Sequence, residues 1–222
     1  MNLFGFPIRS VHVCAVACLA LAACSSPPAR FHSLLAADRV AVAAPAPAPA
    51  SALIVDVLPV RVPPSVAGRR LVVQGSSGRV DVLEMDRWAS PVADEIRAAL
   101  SSALVLQTGA MDVHGLPYDG KRPVYRVAVE VQRFESWRDS HVSIDAVWTI
   151  RTEEDRQVLT CRSVVQEDVS AGIDDVVQGH RRALKALASQ MAEALLAYAA
   201  APSEAARPMP GCLDSVASTL AK

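Results

Sequence analysis

Apolar and polar side chains alternate along two segments in the middle of the chain, which is the pattern of strands with one buried face, and a third β-type segment follows them. The pattern predicts strands over Val124 to Arg138, His141 to Arg151 and Gln157 to Asp168. The connections between them, DS at 139–140 and EEDR at 153–156, are short and polar, as hairpin turns are. The three segments are therefore expected to form an antiparallel meander with one buried and one wetter face.

Two other segments repeat their apolar residues every three or four positions, as amphipathic helices do. The first helix is predicted to have Ser90 as its N-cap and Pro91 at its first position, with acids such as Glu95 near the positive end of the helix dipole. The second is predicted from about Asp174 to Ala199. His180 lies on its apolar stripe, where a core histidine is favoured over a metal ligand.

Upstream of the first helix, the chain reads as short strands and turns. The run LIVDVLPVRV from Leu53 predicts a buried strand that ends near Pro59 or Pro63, and LVVQGSSGRVDVLEM predicts a hairpin with its turn at GSSG. The preceding Ala-Pro stretch at 41–51 favours an extended conformation. A chain of 222 residues that is 51% hydrophobic suits one globular domain.

The first 23 residues have the layout of a secretory signal peptide. Arg9 supplies a positive charge, and an apolar run follows from Val11 to Leu21, which is too short to cross a bilayer as a helix. The sequence LAAC at 21–24 matches the bacterial lipobox, in which the cysteine is lipidated and becomes the mature amino terminus. Cys24 is therefore predicted to be the site of lipid attachment, and several acyl chains would anchor it stably.

Charge and motif content predict neither a nucleic-acid partner nor a catalytic or cofactor site. Cleavage after residue 23 removes one of 22 Lys and Arg, which leaves 21 against 23 Asp and Glu, a net charge of −2. The four remaining histidines do not have metal-ligand spacing, and GSSG fits neither a nucleophile elbow nor a phosphate loop. We therefore predict that the protein is not an enzyme and binds no metal.

Two cysteines remain in the mature chain besides Cys24, in a compartment where disulfides form. Cys161 and Cys212 can form one disulfide that closes a loop of about 50 residues. The equally weighted alternative is a buried Cys161 in a strand and a free Cys212 in a tail. Pro202, Pro208 and Pro210 interrupt any pattern near the end, so residues 200–222 are predicted to be a flexible tail unless Cys212 pins it.

The order of these features resembles the PqiC family, also called the ABC-type transport auxiliary lipoproteins, over roughly residues 24–198. A strand pair ends in Arg87 and Trp88, and Ala89 to Pro91 opens a helix. A V-x-V-x-x-F strand follows through Phe134, and then a strand whose apolar rhythm ends at Trp148. Arg87, Trp88 and Pro91 are the motif positions; we expect Trp88 to pack beneath the helix start and Arg87 to pair with an acid.

The resemblance implies a single α/β domain, with a mixed, mostly antiparallel sheet packed by two main helices. The family's opening strand corresponds to ARFHSLL, with His32 where a tyrosine is usual. The predicted organisation is therefore a signal peptide at 1–23, a short lipid tether at 24–30, the domain at 31–199 with its Ala-Pro loop at 41–51, and the tail at 200–222. The tether is expected to be short, because FHSLL then belongs to the fold.

The same resemblance implies a function in transport. It suggests a lipoprotein of the outer membrane, facing the periplasm, that works with an MCE-domain protein of the PqiB type and an inner-membrane partner to move lipids. Such a protein would act as a docking collar or portal and could form a ring-shaped homo-oligomer. Ser25, where an aspartate would direct inner-membrane retention in enteric bacteria, favours the outer membrane. The alternative is a scaffold lipoprotein that supports envelope assembly or activates a cell-wall synthase.

Overall fold

The computed structural model describes residues 28–35, 53–152, 157–200 and 211–216. The predicted signal peptide, Cys24 and the Ala-Pro loop lie outside these ranges. The elements in chain order are β1 Arg30–His32, β2 Ile54–Val57, β3 Arg70–Gln74, β4 Val80–Trp88, α1 Val92–Thr108, β5 Met111–Asp112, β6 Val124–Trp137, β7 His141–Arg151, β8 Gln157–Asp168, α2 Ile173–Ala200 and β9 Cys212–Val216.

The strands form one mixed sheet, which confirms the predicted single α/β domain. Its order is β1-β4-β3-β6-β7-β8-β9, and β2 pairs with both β6 and β5. The β3–β4, β6–β7, β7–β8 and β8–β9 pairs are antiparallel, whereas β1–β4, β2–β5, β2–β6 and β3–β6 are parallel. The predicted meander and the hairpin around GSSG are both present, and their strands end within a residue or two of the predicted positions.

Two strands, β2 and β3, pair with different stretches of the same edge of β6. Their positions identify the two ends of the sheet. Ile54 of β2 pairs with Val124 at the start of β6, whereas Gln74 of β3 pairs with Trp137 at its last residue. The β3–β4 turn and the β6–β7 turn at 138–140 therefore lie at the same end, which we call the hairpin end. The starts of β2, β5 and β6 lie at the opposite end.

The core lies between the sheet and the two helices. The helices pack against each other, and α2 packs on β6, β7 and β8. Gly179 of α2 permits this close approach, because a Cβ at that position would lie only 2.4 Å from a methyl carbon of Val169 and 3.2 Å from one of Val142. The buried side chains of this layer include Ile96, Leu100 and Leu104 of α1, Leu184, Leu187, Met191 and Leu195 of α2, and Val127, Ile144, Trp148 and Ile150 of the sheet.

The start of α1 differs from the predicted cap. Pro91 is the N-cap and Val92 is the first helical residue, so Ser90 lies one position too early to cap the helix. The Ser90 hydroxyl and its backbone N–H instead donate to Glu95 Oε1, over 2.8 and 3.0 Å. These two hydrogen bonds still tie the chain before the helix to its first turn.

The region after α2 follows the stated exception to the predicted tail, in which Cys212 pins the chain. Cys212–Val216 forms β9, which pairs antiparallel with β8, so this part is not a flexible tail. Cys161 and Cys212 face each other in register and form a disulfide, with their Cα atoms 3.9 Å apart. Local periodicity could not show this strand, because it is five residues long and follows a proline-rich stretch.

We expect the disulfide to stabilise the domain measurably. The two cysteines are 51 positions apart, and closing a loop of that size contributes about 4 kcal/mol through the entropy of the unfolded chain. Replacing Cys212 with Ser should lower the free energy of unfolding in urea by roughly that amount. The reduced wild-type protein is the control and should match the variant. Equal unfolding midpoints for oxidised wild type and variant would contradict the prediction.

Candidate functional site

The first strand is held to the domain by a buried carboxylate at the end of β4. Asp86 Oδ2 accepts from Arg30 over 2.8 Å, and Asp86 Oδ1 lies 2.9 Å from His32 Nε2. The other ring nitrogen of His32 lies 3.8 Å from Asp174 at the start of α2. Burial alone would raise the pKa of Asp86, but the hydrogen bonds from Arg30 and His32 outweigh burial and lower it. His32 is thus one of the two residues whose side chains contact Asp86.

A second buried carboxylate, Glu95 of α1, holds the residues just after β1. Its Oε2 accepts from the Ser33 hydroxyl and from the Leu34 N–H, both over 2.8 Å, while Oε1 binds Ser90. Arg181 of α2 donates two hydrogen bonds to the Ser33 carbonyl, over 2.7 and 3.0 Å. Burial opposes ionisation of Glu95, but its hydrogen bonds to Leu34, Ser33 and Ser90 lower its pKa overall. Asp86 and Glu95 together form what we call the first-strand clamp.

Trp88, one of the motif positions expected from the sequence, is part of the core. Its side chain is 2% exposed and meets Phe134 of β6 and His180 of α2 edge-on, each with ring centroids 6.2 Å apart. Its backbone N–H donates to the Arg69 carbonyl of the loop before β3, and the next N–H, of Ala89, donates to the His32 carbonyl. Trp88 therefore lies where β1, β4 and the core meet.

Among the residues that the structure describes, Arg87 forms no ion pair with an acid, contrary to the expectation. Its Nε donates to the backbone carbonyl of Glu84 over 3.1 Å, because the adjacent acid, Asp86, faces the other side of the sheet and pairs with Arg30 and His32. Pro91, the third motif residue, is the extended N-cap of α1. The sequence could not distinguish these partners, since Asp86 and Glu84 both lie within three positions of Arg87 along the chain.

His180 is a fully buried core histidine. Its ring stacks on Phe134 with centroids 4.0 Å apart, and its Nε2 lies 2.8 Å from the Ser136 hydroxyl. Within the part of the chain that the structure describes, Nδ1 has no hydrogen-bond partner. Burial lowers the pKa of His180 to about 3, so the ring is neutral at physiological pH.

A polar cluster that the sequence did not indicate lies at the edge formed by β2 and β5. His114 Nδ1 lies 2.8 Å from Asp56, and Asp112 accepts from Arg97 over 3.0 Å and from Ser101 over 2.5 Å. These bonds join the β5 edge to α1 and β2. The described ranges contain no group of three or more His, Cys, Asp or Glu side chains that could hold a metal ion.

On the other side of β1, Phe31 lies in a shallow groove of about 660 Å³. We call this the hairpin groove; its lining comes from β1, the loop before β3 and the β3–β4 hairpin, and consists of Phe31, Ser65, Gly68, Arg69, Arg70, Val72, Val82, Glu84 and Arg87. Three arginines and one glutamate give the lining a formal charge of +2 on a chain whose net charge is −1.

Aromatic and apolar side chains of the hairpin groove are open to solvent. Phe31 is 59% exposed and Val82 is 45% exposed, and Val80 beside them is 51% exposed. The Arg69 guanidinium lies over the Phe31 ring, 5.8 Å from its centroid, and Arg70 pairs with Glu84 over 3.0 Å. The groove therefore combines exposed apolar surface with positive charge, which suits an amphipathic, negatively charged ligand.

Comparison with known proteins places the chain in a family. The family model described as the ABC-type transport auxiliary lipoprotein component matches residues 34–192. The chain belongs to this family. No curated protein matches the chain.

Solved structures share the fold of this transport auxiliary lipoprotein. An uncharacterized protein is 18% identical, with a TM-score of 0.59, and the match covers 76% of this chain and 99% of that one. Protein XCC0632 from Xanthomonas campestris, of the DUF330 family, is also 18% identical, with a TM-score of 0.53, covering 75% of this chain and 91% of that one. At this identity the likeness shows the fold alone.

The family match includes Trp88, Glu95 and His180 and leaves out β1 and β9. Arg30 and His32, which supply the partners of Asp86, therefore lie outside the matched range of this auxiliary lipoprotein. No described helix is sufficiently long and apolar to span a bilayer.

Because Glu95 is part of the first-strand clamp, we expect the stability of the protein to depend on its carboxylate. Glu95→Gln places an amide NH₂ against N–H and O–H donors, so we expect the free energy of unfolding to fall by about 2 kcal/mol at pH 7. Asp94→Asn, an exposed neighbour in the same helical turn, is the matched control and should change it by less than about 0.5 kcal/mol. Urea unfolding measures both variants, and equal losses would contradict the clamp.

The effect of Glu95→Gln should depend on pH. The pKa of Glu95 is lower in the folded protein than its ordinary value of 4.5, so the ionised carboxylate stabilises the fold above that pH. This stabilisation is lost as the pH falls through the lowered pKa, and the difference between wild type and variant should then shrink. A difference that stays constant from pH 7 down to about pH 3 would contradict this assignment.

Proposed function

We propose that the protein is an outer-membrane lipoprotein, anchored through Cys24 and facing the periplasm, that serves as a subunit of an MCE-type intermembrane lipid transport system. It acts as a docking collar or portal and catalyses no reaction. The observation that carries the proposal is the match to the ABC-type transport auxiliary lipoprotein component over residues 34–192. Its partners are an MCE-domain protein of the PqiB type and an inner-membrane component, and it assembles as a ring-shaped homo-oligomer.

The first-strand clamp supports a role that needs a fixed position at the membrane. β1 begins at Arg30, six residues after Cys24, and a chain of six residues reaches about 20 Å at most. Because Asp86 and Glu95 hold residues 30–34, this short segment separates the anchor from the folded domain. A domain held this close to the bilayer suits a collar better than a module that reaches partners at a distance.

Anchoring is tested in cells that receive labelled palmitate. The wild-type protein should incorporate the label and fractionate with the outer membrane, because Cys24 carries the acyl chains. Cys24→Ala should incorporate no label and should accumulate as unprocessed precursor. Cys212→Ser is the matched control for loss of a cysteine and should label as wild type does. Labelling of the Cys24→Ala protein, or wild type found in the inner membrane, would contradict the proposal.

The partner is tested by photo-crosslinking in the same cells. A photoreactive residue is placed at Leu106, which is 70% exposed on α1, or at Val164, which is 62% exposed on β8. At least one of the two positions should capture an MCE-domain protein, and crosslinks between copies should appear if the ring forms. Buried Leu100 is the control position, at which no partner should be captured. Capture of a cell-wall synthase without an MCE protein would favour the scaffold function instead.

A further inference from the structure

The direction of β1 shows from which side the anchored end of the chain reaches the domain. β4 runs from the β3–β4 turn toward α1, and β1 runs parallel to it, with Arg30 opposite Asp86 and His32 opposite Trp88. Residues before Arg30 therefore enter β1 from the hairpin end of the sheet. Since Arg30 is six positions after Cys24, an anchor at Cys24 can lie at most about 20 Å from the start of β1.

The hairpin end carries the side chains that a membrane surface selects. Exposed Val80 and Val82 lie on the part of β4 that β1 does not cover, and the side chain of Arg79 at the turn is 70% exposed, 3.4 Å from Asp81. Trp137, at the end of β6, is half-buried and stacks on His141 with centroids 5.9 Å apart. Tryptophan favours the interface between lipid and water, and arginine is attracted to anionic headgroups.

The hairpin itself is bent where the groove forms. Between two paired positions, β3 advances two residues, from Arg70 to Val72, while β4 covers five, from Arg87 to Val82. The extra residues in β4 form a bulge, which bends a strand and increases its twist. Phe31, opposite Arg87, faces the groove at this bend, whereas Arg30 and His32 point toward Asp86 on the other face.

The geometry points to the hairpin groove and the hairpin end as a docking surface for the phospholipid bilayer that holds the anchor. The occupant is the bilayer surface with its anionic headgroups: Arg70 and Arg87 face the phosphates, and Phe31, Val80 and Val82 enter the interface. This inference rests on the lipid anchor of the proposed function. Charge complementarity and the short tether carry it, because an anchor within about 20 Å keeps this surface at a high effective concentration near the lipid.

The inference is tested with the full lipidated protein in vesicles of phosphatidylethanolamine and phosphatidylglycerol. An environment-sensitive fluorophore is attached through Val80→Cys or, as a matched control, through Leu106→Cys in the last turn of α1. Leu106 is also exposed, and it lies toward the opposite end of a sheet whose β6 is 14 residues, or about 45 Å, long. Quenching by bromine-labelled lipid then reports contact with the acyl region.

We expect quenching at Val80 and none at Leu106. In the Val80-labelled protein, Val82→Asp should abolish most of the quenching, and Arg87→Ala should lower the ratio of docked to undocked protein about five-fold. Leu106→Asp, made in the same labelled protein, is the control and should leave quenching unchanged. Replacing phosphatidylglycerol with phosphatidylcholine should reduce quenching as Arg87→Ala does.

The outcomes separate this inference from the proposed function. If the protein floats with the vesicles and Val80 is not quenched, the anchor stands and the docking surface is wrong. If the protein does not float, the anchor itself is wrong. Equal quenching in neutral and anionic vesicles would overturn recognition of the headgroup charge. A Val80 fluorophore that is already shielded in detergent, without vesicles, would identify a second copy of the chain as the occupant and overturn the inference.

Discussion

Two buried carboxylates hold the first strand to the domain, and the position of the chain's amino-terminal part depends on them. β1 has only three residues, and its ladder to β4 is too short to be stable by itself. Asp86 and Glu95 supply the remaining attachment through side chains and backbone groups of residues 30–34. The dependence is mutual, because without β1 each carboxylate would lose partners that offset its burial.

This mutual dependence connects the sheet to both helices. Glu95 belongs to α1, Asp174 of α2 lies near His32, and Arg181 of α2 binds the Ser33 carbonyl. The residues around β1 therefore contact β4, α1 and α2 at once. Under the proposed anchor, force or motion at the membrane would reach the core through this one segment. The clamp is thus better placed than any flexible linker to set the orientation of the domain.

The sequence predicted the elements whose pattern is local. Alternation along β6, β7 and β8 and the three-to-four repeat of α2 place their ends within a residue or two, since each pattern reports burial of the element that carries it. Parallel pairing of β1 with β4 joins residues 56 positions apart, and no periodicity encodes it. The residues of the clamp were missed for the same reason. Glu95 was expected only to favour the helix dipole, and Asp86 carried no prediction.

The adjacent residues Arg87 and Trp88 of β4 link the core to the surface. Successive residues of a strand point to opposite faces, so Trp88 enters the core beside His180 while Arg87 faces the hairpin groove. The indole is fixed by Phe134 and His180, and Ser136 fixes the His180 ring by a hydrogen bond between β6 and α2. Because Arg87 is the next residue along β4, the packing around Trp88 fixes the backbone from which the Arg87 side chain extends, and the Glu84 carbonyl holds its guanidinium. A change in the core beneath Trp88 would therefore alter the groove without touching any residue that lines it.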